Sequence, residues 1–202
     1  WNEVRHHYPA KVAASLDQLM HFHPPDEQRG RLILWHGAAG TGKTTAIRSL
    51  IRSWRDQCSA HSIIDPEEFF RDPGYMSNML SSRHPDMWKL IIAEDSDRFL
   101  MADSGGASTG SIGQLLSLTD GLLGQGSNTL VLITTNLDIR RVHPALVRPG
   151  RCLSNIEFTR LSPAEATRIS GMPCTTSMTL AEAFEARTTG HIAETTEHYG
   201  YV

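Results

Sequence analysis

The sequence is poor in the features that mark secreted, membrane-spanning and nucleic-acid-binding proteins. It has three cysteines in 202 residues, Cys58, Cys152 and Cys174, which are widely spaced and form no C-x-x-C pair. Such cysteines are typical of reduced thiols rather than of a disulfide framework or a zinc site. The net charge is −3 and the pI is near 6.4, so nothing indicates a nucleic-acid-binding surface. No apolar run approaches the roughly 20 residues that cross a bilayer, and no signal-peptide pattern opens the chain, which predicts a cytoplasmic protein.

The composition is otherwise that of an ordinary globular domain. Hydrophobic residues make up 40% of the chain and charged residues 20%, and 202 residues fit one α/β domain with a small appendage. Short apolar runs, of the kind found in parallel strands buried on both faces, alternate with helical patterns. We therefore predict an α/β fold with a parallel five-stranded sheet covered by helices on both faces. The predicted strands are Leu32–Trp35, Ser62–Ile64, Leu90–Ala93, Leu130–Ile133 and Asn155–Phe158.

Local signals predict the helices and loops between these strands. An amphipathic face on Val12, Leu16, Leu19 and Met20 predicts a first helix that is broken at Pro24-Pro25. The Gly- and Ser-rich segment Asp103–Gly113 predicts a flexible loop. The remaining predictions are a helix that begins near Tyr75, a helix over Ile112, Leu115, Leu116 and Thr119 that ends at Gly121, and two short helices that begin at capping boxes on Ser162 and Thr179 and end near Gly171 and Gly190.

The most informative segment is a glycine-rich octet that follows the first predicted strand. The octet fits G-x-x-x-x-G-K-[ST], the phosphate-binding loop of nucleoside triphosphatases. Its glycines let backbone N–H groups surround a phosphate, its lysine reaches the β- and γ-phosphates, and its last hydroxyl coordinates Mg²⁺. A plain Gly-rich turn is the alternative, but the apolar strand before the octet and the helical pattern after it favour a phosphate loop. The residues assigned to phosphate binding are Gly37, Ala38, Ala39, Gly40, Thr41, Gly42, Lys43, Thr44 and Thr45.

Two carboxylates follow the third predicted strand. Chemistry at a phosphate loop needs a carboxylate on the metal side and a residue that orients or deprotonates the attacking water, both at the end of a neighbouring strand. Glu94 is predicted to hold Mg²⁺ through water, beside Thr44, and Asp95 to act as the base or to position the water. The alternative is an acidic helix cap after a core strand.

Polar residues after the fourth predicted strand complete the set. Asn136 follows that strand and is predicted to orient water or to touch the γ-phosphate, although asparagine is also a common turn residue. Arg148 and Arg151 lie three residues apart on a Pro/Gly turn. Arginine stabilises the charge that develops on a transferring phosphoryl group, so both are candidate catalytic residues, the alternative being a solvated basic turn.

These four groups, in this order, resemble AAA+ ATPases and specifically the classical AAA branch. Gly37–Thr44 resembles Walker A and Leu90–Asp95 resembles Walker B, while Asn136 resembles the sensor-1 residue. Arg148 and Arg151 resemble the paired arginine fingers of that branch. The resemblance is most specific over residues 115–151 and covers residues 31–158, most of the chain.

The resemblance implies an assembly and a division of the chain. Arginine fingers act on the nucleotide of a neighbouring subunit, which implies a homo-oligomer, typically a hexamer. Residues 1–30 would be a helical segment leading into the core, residues 31–160 the AAA+ nucleotide-binding core, and residues 161–202 an abbreviated or truncated helical lid. The chain begins at Trp1 rather than Met, so we expect it to be a fragment or a processed product.

Two further positions are assigned through the resemblance. The adenine pocket is expected around Tyr8 and Pro9, and a pore loop that grips polypeptide is expected near Phe69, Phe70, Gly74 and Tyr75, with core packing as the alternative. The family's usual Walker B ends in Asp-Glu, whereas this sequence has Glu94-Asp95. This swap does not by itself imply inactivity, but Asp95 is one methylene shorter than glutamate, and a misplacement of about 1 Å costs about 100-fold in rate, so slow turnover is compatible with the sequence.

The leading functional hypothesis is an ATPase that uses ATP and Mg²⁺ to remodel an unidentified protein partner. One alternative is a nucleotide-binding switch or scaffold with little or no turnover. A second is a small-molecule kinase, for which the paired arginines on a Pro/Gly turn fit less well. GTP is disfavoured because Asn136-Leu137-Asp138 lacks the lysine of the guanine-specific N-K-x-D motif.

Overall fold

A computed structural model describes residues 1–23, 30–80, 87–101, 106–120, 128–148 and 150–192, and the side chains of all these except 106–109 and 120. Some of the sequence predictions fall outside the described residues. These are the helix break at Pro24-Pro25, the loop residues 103–105, the helix end at Gly121, Pro149 within the arginine turn, and residues 193–202 of the lid.

A five-stranded parallel sheet forms the centre of the chain. Its strands are β1 (Leu32–His36), β2 (Cys58–Ile63), β3 (Trp88–Ala93), β4 (Thr129–Thr135) and β5 (Cys152–Glu157). Their order across the sheet is β2-β3-β4-β1-β5, and every pairing is parallel. β1 is therefore flanked by β4 and β5, and the carboxyl ends of β1, β3 and β4 lie side by side at one edge of the sheet. Ligands of open α/β sheets bind at this edge.

Helices cover both faces of the sheet, as the sequence predicted. Alternation along the buried strands divides the core: Ile33 and Trp35 face one layer, whereas Leu32 and Leu34 face the other. The first layer contains α1 (Ala10–Met20), α2 (Lys43–Trp54), α7 (Pro163–Ser170) and α8 (Leu180–Thr189). The second contains α3 (Pro66–Arg71), α4 (Pro73–Leu80), α5 (Asp97–Leu100) and α6 (Gly106–Asp120). Short 3₁₀ helices span Arg5–His7 and Ile139–Arg141.

The largest differences from the sequence predictions are at the edge strand β2 and in the second layer. β2 begins at Cys58 rather than Ser62, because it is an edge strand whose alternately exposed residues carry no continuous apolar run. Helix α3 was not predicted; it begins after Asp65, whose carboxylate accepts a hydrogen bond from the Glu68 amide. The predicted loop over residues 103–113 is wrong for residues 106–113, which form the first half of α6.

The two capping boxes are confirmed and fix the first-layer helices near the carboxyl end of the chain. Ser162 and Glu165 exchange hydrogen bonds at the start of α7, as do Thr179 and Glu182 at the start of α8. Both helices end at a left-handed glycine, as predicted. Within the described residues, no helix combines the length and apolar character that a membrane crossing requires.

Candidate active site

The glycine-rich octet connects β1 to α2 at the carboxyl edge of the sheet. Gly37 has φ +132°, and a Cβ there would lie 2.2 Å from the carbonyl oxygen of Phe158, so only glycine fits between the loop and the chain beyond β5. Gly42 is left-handed and directly precedes α2, which begins at Lys43. The buried Thr41 hydroxyl donates to the carbonyl oxygen of Ala38 at 2.7 Å and braces the loop. The loop thus carries the unpaired N–H groups of a helix N-terminus, which suit a phosphate.

Lys43 is buried and reaches back over the loop. Its ammonium donates to the carbonyl oxygens of Gly37 at 2.6 Å and Ala38 at 3.1 Å, and to the side-chain oxygen of Asn136 at 2.9 Å. Burial lowers the pKa of Lys43, while the nearby carboxylates of Asp95 and Asp97 act in the opposite direction. These contacts hold a positive charge at the centre of the loop, on the side that faces the ends of β3 and β4.

Two oxygen-bearing side chains that the sequence predicts for Mg²⁺ meet beside the lysine. The Thr44 hydroxyl, in the first turn of α2, donates to Oε2 of Glu94 at 2.6 Å. Mg²⁺ in nucleotide sites commonly takes one or two protein oxygens, together with phosphate oxygens and water, and this pair fits that pattern. No group of three or more His, Cys, Asp or Glu side chains suited to a metal occurs among the described residues.

Asp95 is exposed toward the same space and has an unusual backbone. Its φ of +50° is the only positive value at a non-glycine residue in the described part of the chain. Its N–H donates to the Thr134 hydroxyl at 3.0 Å, which ties it to the end of β4. Asn136 bridges the two charged residues, since its amide nitrogen lies 3.4 Å from Oδ1 of Asp95 while its oxygen accepts from Lys43. Aspartate tolerates the left-handed region better than glutamate does, which suits the order Glu94-Asp95.

A cleft of about 390 Å³ lies over the phosphate loop and is lined by Lys43, Thr44, Asp95 and Asn136, while Glu94 is not among its lining residues. His7 and three residues of α8, Leu180, Ala181 and Phe184, also line it. The adenine pocket was predicted in the segment before β1, around Tyr8 and Pro9; from that segment His7 lines the cleft, together with residues of α8. Tyr8 is buried, and its hydroxyl donates to the Gly42 carbonyl oxygen at 3.0 Å.

The two candidate arginines stand apart from this cleft in their own chain. Neither Arg148 nor Arg151 is among the described residues that line it. Arg151 directly precedes β5, whose first residue, Cys152, pairs with the first residue of β1, whereas the phosphate loop follows the last. Arg151 therefore lies roughly 13 Å of strand length away from the loop. Arg148 is exposed, while Arg151 is half-buried and donates to the Ala145 carbonyl oxygen at 2.7 Å.

Comparisons with known proteins identify the family of the chain. The family model described as "ATPase family associated with various cellular activities (AAA)" matches residues 33–160, more than half of the chain. The chain belongs to the AAA family. It is also 29% identical over 133 residues to Protein CdcH of Halobacterium salinarum, a match that covers 62% of this chain and 17% of CdcH. The chain thus spans a small part of that relative. The AAA match confirms the predicted α/β fold of the P-loop type.

Outside the AAA match, α8 is seated directly on the phosphate loop. The Ala181 N–H donates to the Gly40 carbonyl oxygen at 2.9 Å, and the Thr179 side chain lies beside Gly40. Leu180 packs over Gly42 from the same helix. The phosphate loop is therefore held between Tyr8 on one side and the first turn of α8 on the other.

Substitution of Gly42 by alanine should damage this contact. The residue has φ +96°, and a Cβ would lie 2.8 Å from Leu180 Cδ2 and 3.0 Å from Tyr8 Cε1, so both strain and overpacking result. We expect the free energy of unfolding to fall by about 1–3 kcal/mol, measured by urea denaturation. The control is Gly113→Ala in α6, where no described atom lies within 4 Å of an added Cβ and stability should stay equal or rise by about 0.5–1 kcal/mol. Equal stability of Gly42→Ala and wild type would contradict this account.

Two of the aromatic residues expected in a pore loop belong to the core. Phe69 and Phe70 are fully buried within α3, and Phe70 stacks on Phe99 with ring centroids 5.3 Å apart. They are therefore not available to grip a polypeptide. Tyr75 is 36% exposed and packs edge-on against Phe69.

Proposed function

We propose that the chain binds ATP and hydrolyses it with Mg²⁺. The observation that carries this proposal is the convergence, at one edge of an AAA-family sheet, of the phosphate loop with Lys43, the Thr44–Glu94 pair, Asp95 and Asn136. The triphosphate would lie along the loop, and the adenine ring against His7 and Phe184. These two rings pack edge-on with centroids 4.8 Å apart and, with Leu180, give this part of the cleft an aromatic and apolar lining that suits a flat heteroaromatic ring.

Each residue of the cleft then has a chemical role. The loop amides, from Gly37 to Thr45, and the Lys43 ammonium would bind the phosphates and stabilise the charge that develops during transfer. Thr44 and Glu94 would hold Mg²⁺, which supplies further charge neutralisation when bound. Asp95 would orient and deprotonate the attacking water, and Asn136 would hold that water between Asp95 and Lys43.

We also propose that the active unit is a homo-oligomer, a hexamer by family resemblance, that remodels a protein partner. The separation of Arg148 and Arg151 from the cleft of their own chain supports a role at a neighbour's nucleotide, with Arg148 the more available of the two. Residues 1–30 would lead into the nucleotide-binding core at 31–160, and residues 161–202 would be its lid; His7 from the first segment and α8 from the second line the cleft. A nucleotide-binding switch or scaffold is the second candidate, favoured by the shorter Asp95 in place of the usual glutamate.

The test is steady-state ATP hydrolysis with Mg²⁺ across a series of protein concentrations. Turnover per subunit should rise with concentration, because each site is completed by an arginine from its neighbour. Arg148→Ala alone and Asp95→Asn alone should each lose turnover, and a mixture of the two should recover part of it. Arg52→Ala, which changes an exposed arginine of α2, should behave as wild type.

Three outcomes would count against parts of this proposal. Tight ATP binding without turnover at any concentration would favour the switch. Full turnover that does not depend on concentration would contradict the shared site. Absence of recovery in the mixture, with each variant still folded, would remove the arginines from the neighbour's site.

A further inference from the structure

We propose that Asp97 is a positioning residue that fixes the orientation of the Asn136 amide relative to Asp95. This inference rests on the proposed function, because it assigns Asp97 a part in the same hydrolysis. Sequence reasoning selected Glu94 and Asp95 and gave Asp97 no role, since a carboxylate at the start of a helix is common. Its contacts across the sheet edge are what single it out.

Asp97 is half-buried at the first position of α5 and binds the end of β4. Its Oδ1 accepts from the Thr135 hydroxyl at 2.6 Å and from the Asn136 N–H at 2.8 Å. Both are short bonds to a charged acceptor, the strong class of hydrogen bond in proteins. One carboxylate oxygen therefore fixes the backbone from which the Asn136 side chain projects.

The second carboxylate oxygen faces the Asn136 side chain itself. The Asn136 amide nitrogen lies 3.5 Å from Oδ2 of Asp97 and 3.4 Å from Oδ1 of Asp95, while the amide oxygen accepts from Lys43 at 2.9 Å. An ammonium only donates and a carboxylate only accepts, so a single orientation of the amide satisfies all three neighbours. The carboxylate contacts are long, but their charges favour the amide hydrogens at this position. Asp97 and Asp95 together thus turn the amide oxygen toward the lysine.

The chain around Asp97 links the two catalytic strand ends rigidly. Two residues earlier, the Asp95 N–H donates to the Thr134 hydroxyl at 3.0 Å, and the Ser96 N–H donates to the Thr134 carbonyl oxygen at 2.9 Å. Together with the bonds of Asp97 to β4, these contacts fix the segment after β3 against the segment after β4. Asp97 therefore fixes the position of Asn136, the residue that holds the water, relative to Asp95, the residue that activates it.

Asp97→Asn is the variant that tests this role. Its amide oxygen can still accept from Thr135 and from the Asn136 N–H, so the backbone contacts persist. Its new NH₂ group, however, takes the place of Oδ2, which lies 3.5 Å from the Asn136 nitrogen, so two donors meet there and the Asn136 amide is displaced from its position between Asp95 and Lys43. We expect kcat to fall about 10- to 100-fold, as for misplacement of a catalytic group by a fraction of an ångström to 1 Å. KM for ATP and the melting temperature should remain close to wild type, and Asp138→Asn, an exposed carboxylate two residues beyond Asn136, is the matched control.

A double-mutant cycle separates positioning from a general structural effect. If Asp97 acts through Asn136, then adding Asp97→Asn to Asn136→Ala should lower kcat by less than about 3-fold further, because the group it orients is already gone. Additive losses in the cycle would overturn the proposal. A parallel loss of ATP affinity and melting temperature in Asp97→Asn would overturn it as well.

A second readout does not depend on turnover. In ¹H–¹⁵N spectra of the nucleotide-free protein, the Asn136 side-chain NH₂ resonances are assigned by their disappearance in Asn136→Ala. They should shift in Asp97→Asn and stay in place in Asp138→Asn; unchanged resonances in Asp97→Asn would overturn the proposal even if the wild type hydrolyses ATP. If the wild type does not hydrolyse ATP but the Asn136 resonances shift in Asp97→Asn, the positioning role is supported and only the proposed hydrolysis is contradicted.

Discussion

Replacement of Lys43 by alanine should weaken ATP binding by about 30- to 1,000-fold, since loss of a buried, hydrogen-bonded charge partner costs about 2–4 kcal/mol. The lysine is buried, and its ammonium already lies on the loop side of the cleft, within 2.6–3.1 Å of three oxygens. Its removal would leave the loop amides and the proposed Mg²⁺ to bind the triphosphate. The measurement is isothermal titration of the variant with ATP and Mg²⁺.

The control for this prediction is Lys11→Ala. Lys11 lies on the exposed face of α1, so its removal changes the net charge by the same amount without touching the cleft. Its ATP affinity should equal that of wild type. Unchanged affinity in Lys43→Ala would mean that the octet does not bind phosphate, and the assignment of the whole site would be wrong.

Asp95→Asn should keep ATP bound while turnover falls by at least about 100-fold, the contribution expected of a general base. Asparagine has the same shape, tolerates the left-handed region that φ +50° requires, and keeps the N–H bond to Thr134. It does not accept a proton from water. The ATP dissociation constant should change by less than about 3-fold, whereas kcat should collapse; both are measured on the same preparation.

The matched control is Asp56→Asn, an exposed carboxylate just beyond α2 whose side chain is 84% exposed. It should hydrolyse ATP at the wild-type rate. Undiminished hydrolysis by Asp95→Asn would mean that Glu94 or another group acts as the general base. Loss of both binding and turnover would instead indicate that the left-handed turn after β3 had collapsed.

The fold could be predicted where burial on both faces leaves a clear signature. β1, β3 and β4 are central strands, and their continuous apolar runs predicted them within one or two residues at each end. The outer strand β2 has alternating exposure, and only its last two residues fell within the predicted range. Helix α6 begins within a Gly- and Ser-rich segment that local propensity assigns to a loop, and its later residues Ile112, Leu115 and Leu118 are buried in the second layer. Tertiary packing outweighed propensity there.

The sequence by itself determined the chemistry that is available and the order of the pieces. Local patterns were enough to recognise the octet, the acidic pair after β3 and the asparagine after β4. Each of these groups stands at the end of a buried strand, and all the strands are parallel. Those facts require the side chains to meet at one edge of the sheet.

Only the tertiary structure decided which side chains contact each of these groups. It showed that Asp97 accepts a hydrogen bond from the Asn136 N–H, that His7 and Phe184 line the cleft, and that the first turn of α8 contacts the phosphate loop. These contacts join residues from 38 to more than 170 positions apart along the chain, as between Thr135 and Asp97 or His7 and Phe184. Hydrogen bonds and ring contacts at such separations depend on how layers pack, and no local pattern in the sequence records them.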